Sequence, residues 1–265
     1  MKNLSWIMLV GMFFSAITYA FSPYENYLLS GKPTYVGLIA RAKSGQEERL
    51  SQQLATLCRK KGNEKLKQAG ISNLAAFQKV IQGDIWYLVT FQYSGKKQYL
   101  TAAESFESST PELKDLILAH PRAARYGCGW LQMEWINYIR GLNVDRQPTQ
   151  VLSMVTIIKP EKESQYRTLH QTVWPGVVDQ MIRGNNRNFS IFLTEIGDQL
   201  YEFFYLEYMG SDSDKDDRMN REDPVNQRWW AQTGPCQQPL PGEKDIWTPM
   251  IQVTDSTSQK KSAND

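Results

Sequence analysis

Two stretches decide the fold: "AGISNLAAFQKVIQGDIWYLVTFQYSG" (Ala69–Gly95) and "GNNRNFSIFLTEIGDQLYEFFYLEYMG" (Gly184–Gly210). They run in register at a constant offset of 115 from Asn73 and Asn188 onward. Phe77 meets Phe192, Tyr93 meets Tyr208 and Gly95 meets Gly210. In each, apolar and aromatic residues alternate, a Gly-Asp pair falls in the middle, and a second alternating run follows. That pattern predicts a β-hairpin, given twice.

The flanks repeat as well. Upstream, "YVGLIARA" (35–42) and "VLSMVTIIKP" (151–160) read as strands. A helical segment follows each, "GQEERLSQQLATLCRKKG" (45–62) and "EKESQYRTLHQTVWPGVVDQMIRGN" (161–185), with Pro175 placed to break the second or to start a new piece. Downstream, "TPELKDLILAHPRAARYGCGW" and "SDKDDRMNREDPVNQRWWAQT" each read as helix, turn, short helix. A last strand closes each half, in "LQMEWINYIRG" and "DIWTPMIQVT". The order is β-α-β-β-α-β twice. The fold class is therefore α+β, two tandem ferredoxin-like modules, each an antiparallel sheet with helices on one face. One such sheet leaves its other face bare. Two copies in one chain are expected to close face to face as an intrachain α/β barrel of the dimeric type.

The organisation read from the sequence has five parts. Residues 1–20 read as a signal peptide, with a lysine, an apolar run from Trp6 to Ile17 and a small-x-small site ending at Ala20; the alternative is an uncleaved N-terminal anchor. That run is short for a membrane span, so no integral span is expected after cleavage and the protein is expected to be exported, periplasmic or extracellular. Residues 28–141 are the first module, 142–150 a polar linker, 151–254 the second module, and 255–265 a disordered tail. Lys and Arg total 30 against 28 Asp and Glu, which gives no basic field for nucleic acid. Cys58, Cys128 and Cys236 are odd in number and lack CxxC spacing. One disulfide or buried free thiols both fit them, and a metal site does not.

Only two of 265 residues are histidine. His170 stands four residues after Tyr166 and four before Trp174 in "YRTLHQTVWP". Helical spacing puts Tyr166 and His170 on one face, and Trp174 is expected to extend that stripe by another turn. An imidazole there can accept and donate a proton near neutral pH, and it can equally be a structural histidine. "NQRWW" adds Trp229 and Trp230, of which one can line a pocket while the other packs. At the offset of 115, Tyr166 falls on Ser51 and His170 on Ala55, so the first half keeps the framework and lacks the polar pair. That asymmetry favours a site in the second half. His120 reads as a helix end. "DSDKDD" (212–217) lacks the Gly and Glu of a calcium loop and reads as an acidic helix start.

Tyr-x3-His-x3-Trp-Pro, "NFSIFL", "PVNQRWW" and "WTPM", in this order, resemble the L-rhamnose mutarotase family over about residues 151–254. The first half resembles it only through the repeat, as a degenerate second copy. The resemblance implies interconversion of the α and β anomers of L-rhamnose or a related 6-deoxy sugar, without metal or cofactor, by a protein that is often a homodimer. It implies His170 as the catalytic proton donor and Tyr166, Phe189, Trp229 and Trp230 as sugar-binding residues. Phe189 stands where the family has a tyrosine, so one substrate hydrogen bond is missing. Gly176 replaces a carboxylate usual in the family. The rival readings are a non-catalytic sugar-binding module and a dimeric-barrel enzyme of other chemistry, such as a small monooxygenase.

Overall fold

The structure is a computed structural model that describes residues 34–59, 64–94, 101–125, 127–141 and 146–253. The signal peptide and the tail expected from the sequence lie outside the described residues, as do 142–145 of the linker. Among the described residues no helix is long and apolar enough to cross a membrane.

The first module begins with β1 (Thr34–Ala42), α1 (Glu47–Arg59) and α2 (Glu64–Gln68). The hairpin β2 (Ile71–Ile81) and β3 (Asp84–Tyr93) follows. Then come α3 (Ala102–Ser109), β4 (Ile117–Leu118), α4 (Pro121–Ala124), β5 (Leu131–Gln132) and β6 (Glu134–Ile139). The second module repeats this with β7 (Gln150–Ile158), α5 (Glu163–Gln171), α6 (Pro175–Arg183), β8 (Asn186–Ile196) and β9 (Gln199–Tyr208). It ends with α7 (Ser213–Glu222), α8 (Pro224–Thr233), β10 (Gln237–Gln238), β11 (Thr248–Pro249) and β12 (Ile251–Gln252).

Both hairpins form where the alternation placed them. Their tight turns are Gln82-Gly83 and Gly197-Asp198, with Gln82, Gly83 and Gly197 all at positive φ. The first turn thus sits one residue earlier than its Gly-Asp pair, and Asp84 opens β3. The matched asparagines acquire a physical role. Asn73 and Asn188 both have φ of 52°, and each lies where the pairing slips, between Ser72 and Ala75 and between Arg187 and Ser190. A short polar side chain tolerates the left-handed conformation that such a bulge requires.

The two sheets are joined by an exchange of strands. Sheet order is β12-β2-β3-β1-β4 in one and β10-β7-β9-β8-β6 in the other. β5 pairs with β1 of its own module, then β6 crosses to β8 of the other. β11 pairs with β7, then β12 crosses to β2. One buried methionine lies at each crossing, Met133 and Met250, and each still bonds its home strand, through Gly37 O at 2.8 Å and Ser153 O at 3.0 Å. The sequence assigned each last strand wholly to its own sheet. That holds only for the first two residues of each.

The inner faces meet as an apolar and aromatic layer, with Tyr35 5.5 Å and Phe77 6.3 Å from Tyr205 between ring centroids. Gly37 leaves room for Phe192 and Met133 there. A buried ion pair, Arg187–Glu207 at 2.6 Å, shares this interior, and Tyr35 and Tyr205 both donate to Glu207. The face that a lone module would leave bare is covered by the chain's other module.

The segment Thr101–Trp130 departs from expectation. A helix at Ala102–Ser109 comes before the stretch read as helical, and that stretch forms a 3-10 turn at Pro111–Leu113 and the short strand β4 instead. His120 caps the start of α4, its Nδ1 accepting from Arg122 N at 3.2 Å. All three cysteines are free.

Candidate active site

Helices α5 to α8 pack on the outer face of the second sheet and enclose a cavity of about 800 Å³. Its wall takes side chains from alternate positions of β7, β8 and β9, as a pleated strand dictates. All five residues singled out in the sequence line it: Tyr166, His170, Phe189, Trp229 and Trp230.

Helix α5 presents Tyr166 and His170 inward at i and i+4, both buried, with ring centroids 4.2 Å apart. The helix ends at Gln171, and Pro175 starts α6 after a break. Trp174 therefore does not extend the stripe by a helical turn. It caps α6 and reaches Trp229 from the break, at 5.3 Å. Asp223 begins α8 by accepting from the backbone of Val225 and Asn226, and this orients the tryptophan pair. Trp229 is buried edge-on to His170 at 5.3 Å, whereas Trp230 is 44% exposed and stands at the rim. Phe189 lies 5.6 Å from Phe204, which touches Trp247 at 4.9 Å, so this side of the cavity is apolar and has no hydroxyl at position 189.

The histidine's hydrogen bonding fixes its tautomer. Nδ1 lies 3.0 Å from the carbonyl oxygen of Tyr166. A carbonyl only accepts, so Nδ1 carries the proton and Nε2 keeps its lone pair in the neutral ring. Burial pushes the imidazole down to about 4, against a smaller upward pull from that carbonyl. At neutral pH His170 is an uncharged base.

Sequence reasoning missed Glu202. It is wholly buried on β9, lines the cavity and accepts hydrogen bonds from Tyr166 Oη and from Gln237 Nε2 at 2.9 Å. Burial raises its carboxyl to about 7, and the two hydrogen bonds only partly oppose this. One signal was available: Glu202 interrupts an otherwise apolar alternate row, Leu200, Phe204, Leu206.

The first module shows how the same frame loses its site. At the repeat offset Tyr87 stands for Glu202, Ser51 for Tyr166 and Ala55 for His170. Tyr87 lies within 2.8 Å of Ser51 Oγ and of the Glu47 carbonyl oxygen, and it is fully buried. A large ring from the sheet has taken the place of two polar groups from the helix.

Fold and cavity together define a ferredoxin-like α/β barrel whose second module holds a histidine and a glutamate in one cavity walled by aromatic rings. Residues 152–255, most of the second module, match the model of the family described as L-rhamnose mutarotase. The L-rhamnose mutarotase of Oceanobacillus iheyensis is 26% identical over 99 residues, 37% of this chain and 90% of that protein. The L-rhamnose mutarotase of Tolumonas auensis is 26% identical over 76 residues, 28% of this chain and 66% of that protein. Among solved structures, a monooxygenase-type protein of Fusobacterium nucleatum aligns at a TM-score of 0.48 and 12% identity, covering 84% of this chain and 93% of that one. Another from Lactobacillus acidophilus aligns at 0.44 and 8%, covering 83% and 95%. Neither likeness says anything about this chain's chemistry.

Proposed function

We propose that the second module is an exported sugar mutarotase that interconverts the α and β anomers of L-rhamnose or a related 6-deoxy sugar. The observation that carries this reading is the enclosure of His170 between Tyr166 and Trp229 in one cavity, with Nε2 left as an unprotonated acceptor. Mutarotation needs a proton removed from the anomeric hydroxyl and a proton supplied to the ring oxygen. Nε2 takes the first on ring opening and returns it on closure, so His170 serves as the proton donor in the return step. Trp229 and Phe189 offer ring faces to the apolar side of a deoxysugar. The family match over the same residues supports the substrate class.

Saturation-transfer NMR between the anomers tests it. His170→Ala should remove the accelerated exchange while circular dichroism shows an intact fold, and unchanged exchange in that variant refutes the assignment. Phe189 favours one alternative, a sugar-binding module without catalysis, because a hydroxyl that would hold the substrate is gone. That alternative predicts quenching of tryptophan fluorescence by the sugar with exchange at the uncatalysed rate.

A further inference from the structure

The described residues include two wholly enclosed glutamates, and they are held differently. Glu207 is paired with Arg187 inside the barrel. Glu202 has no cationic partner among the described residues, only Tyr166 and Gln237. An uncompensated carboxylate in a dry site is costly, several kcal/mol in general, so it is a poor structural choice. The frame does not require it, since Tyr87 fills the matching place in the first module.

The geometry points to Glu202 as a positioning residue that holds the second proton of the acid–base pair and passes it to the sugar through Tyr166. This rests on the mutarotase reading above. On ring opening the O1–H proton goes to His170 Nε2, and the freed electron pair forms the C1=O1 bond. The C1–O5 bond breaks with its pair on O5. The Tyr166 hydroxyl, which donates to Glu202 in the unliganded site, must first turn toward O5; O5 then takes its proton, and Tyr166 Oη takes the carboxyl proton of Glu202. Closure from the other face runs each transfer backward and restores both groups.

The groups facing Glu202 suit this role. Tyr166 comes from α5, Gln237 and Cys236 from β10 and the turn before it, Thr156 and Leu193 pair beside it on β7 and β8, and His170 lines the same cavity. Lys159 and Lys162 act on the Cys236 thiol, and neither bonds Glu202. Burial keeps the carboxyl protonated up to about pH 7 and keeps the imidazole neutral down to about pH 4. The interval between them holds the required state, one proton on Glu202 and none on Nε2.

Anomer exchange should be measured by saturation-transfer NMR across a panel of 6-deoxyhexoses including L-rhamnose, between about pH 5 and about pH 9. The wild-type rate should fall as pH rises through about 7, where Glu202 gives up its proton. In Glu202→Gln the amide still accepts from Tyr166 but has no proton to pass on. Its kcat should drop about a hundredfold near pH 6, with KM little changed and no further fall at higher pH. A Glu202→Gln enzyme with the wild-type rate and profile overturns the role, whereas a merely structural glutamate would leave the profile's shape intact. Should that variant not fold, the wild-type profile decides, and a rate flat across this range overturns the proposal. No acceleration by the wild type on any sugar overturns the mutarotase reading and this role with it. Acceleration with an unaltered variant profile overturns the role of Glu202 alone.

Discussion

Burying Glu202 should make the protein less stable as pH rises from about 4.5 to about 7. In the unfolded chain this carboxyl ionises at about its ordinary 4.5, and in the folded protein at about 7. Below the lower value both states hold the proton and nothing is lost. Between the two values the unfolded chain ionises while the folded protein does not, so the unfolded state gains. Above the upper value the penalty is complete. At about 1.4 kcal/mol per tenfold change it reaches about 3 kcal/mol. That is a large share of the roughly 5–15 kcal/mol that holds a typical domain folded. Glu202→Gln removes the titrating group and keeps the shape. The stability of the variant minus that of wild type should therefore rise by about 3 kcal/mol between about pH 4 and pH 8. His170 titrates in both proteins and cancels in the difference. Its own depressed value acts the opposite way, destabilising the fold as pH falls from about 6.5 toward 4. Urea unfolding at several pH values measures the difference. A difference constant to within about 0.5 kcal/mol would refute the reasoning, because the carboxyl would then ionise alike in both states.

Two further substitutions test the barrel itself. A Cβ at Gly37 would lie 2.8 Å from both Met133 Cε and Phe192 Cγ, so Gly37→Ala should cost about 1–3 kcal/mol, read as a lowered Tm. Arg187→Met would leave Glu207 buried with only tyrosine donors and should cost about 3–5 kcal/mol in urea unfolding. Adding Glu207→Gln should recover part of that loss.

Much of the site was legible because its signals are short. Tyr166 and His170 are neighbours by helical spacing alone, and the turn of the chain at Pro175 follows from its missing N–H. Trp174 was misread because the same spacing was carried one turn past the end of α5. Helix α3, "AAESFESS", escaped notice because its apolar face is brief, while the "PELKDLIL" beside it looked more helical and became a 3-10 turn and then a short strand. Glu202 was passed over because its one signal, a carboxylate in an apolar alternate row, does not say what the carboxylate meets. Its meaning depends on partners 35 and 36 residues away in sequence.

The sequence by itself determined the repeated hairpins, the helix that carries His170, and the difference between a polar second module and a plain first one. Those features rest on periodicity and on residue types compared at one offset, which are local. The tertiary structure alone decided that β6 and β12 change sheets, since either sheet edge could satisfy the same backbone groups. It also decided that burial keeps the imidazole uncharged at neutral pH and raises the Glu202 carboxyl to about 7. Both states come from burial and from partners brought together by folding, and a one-dimensional pattern records neither.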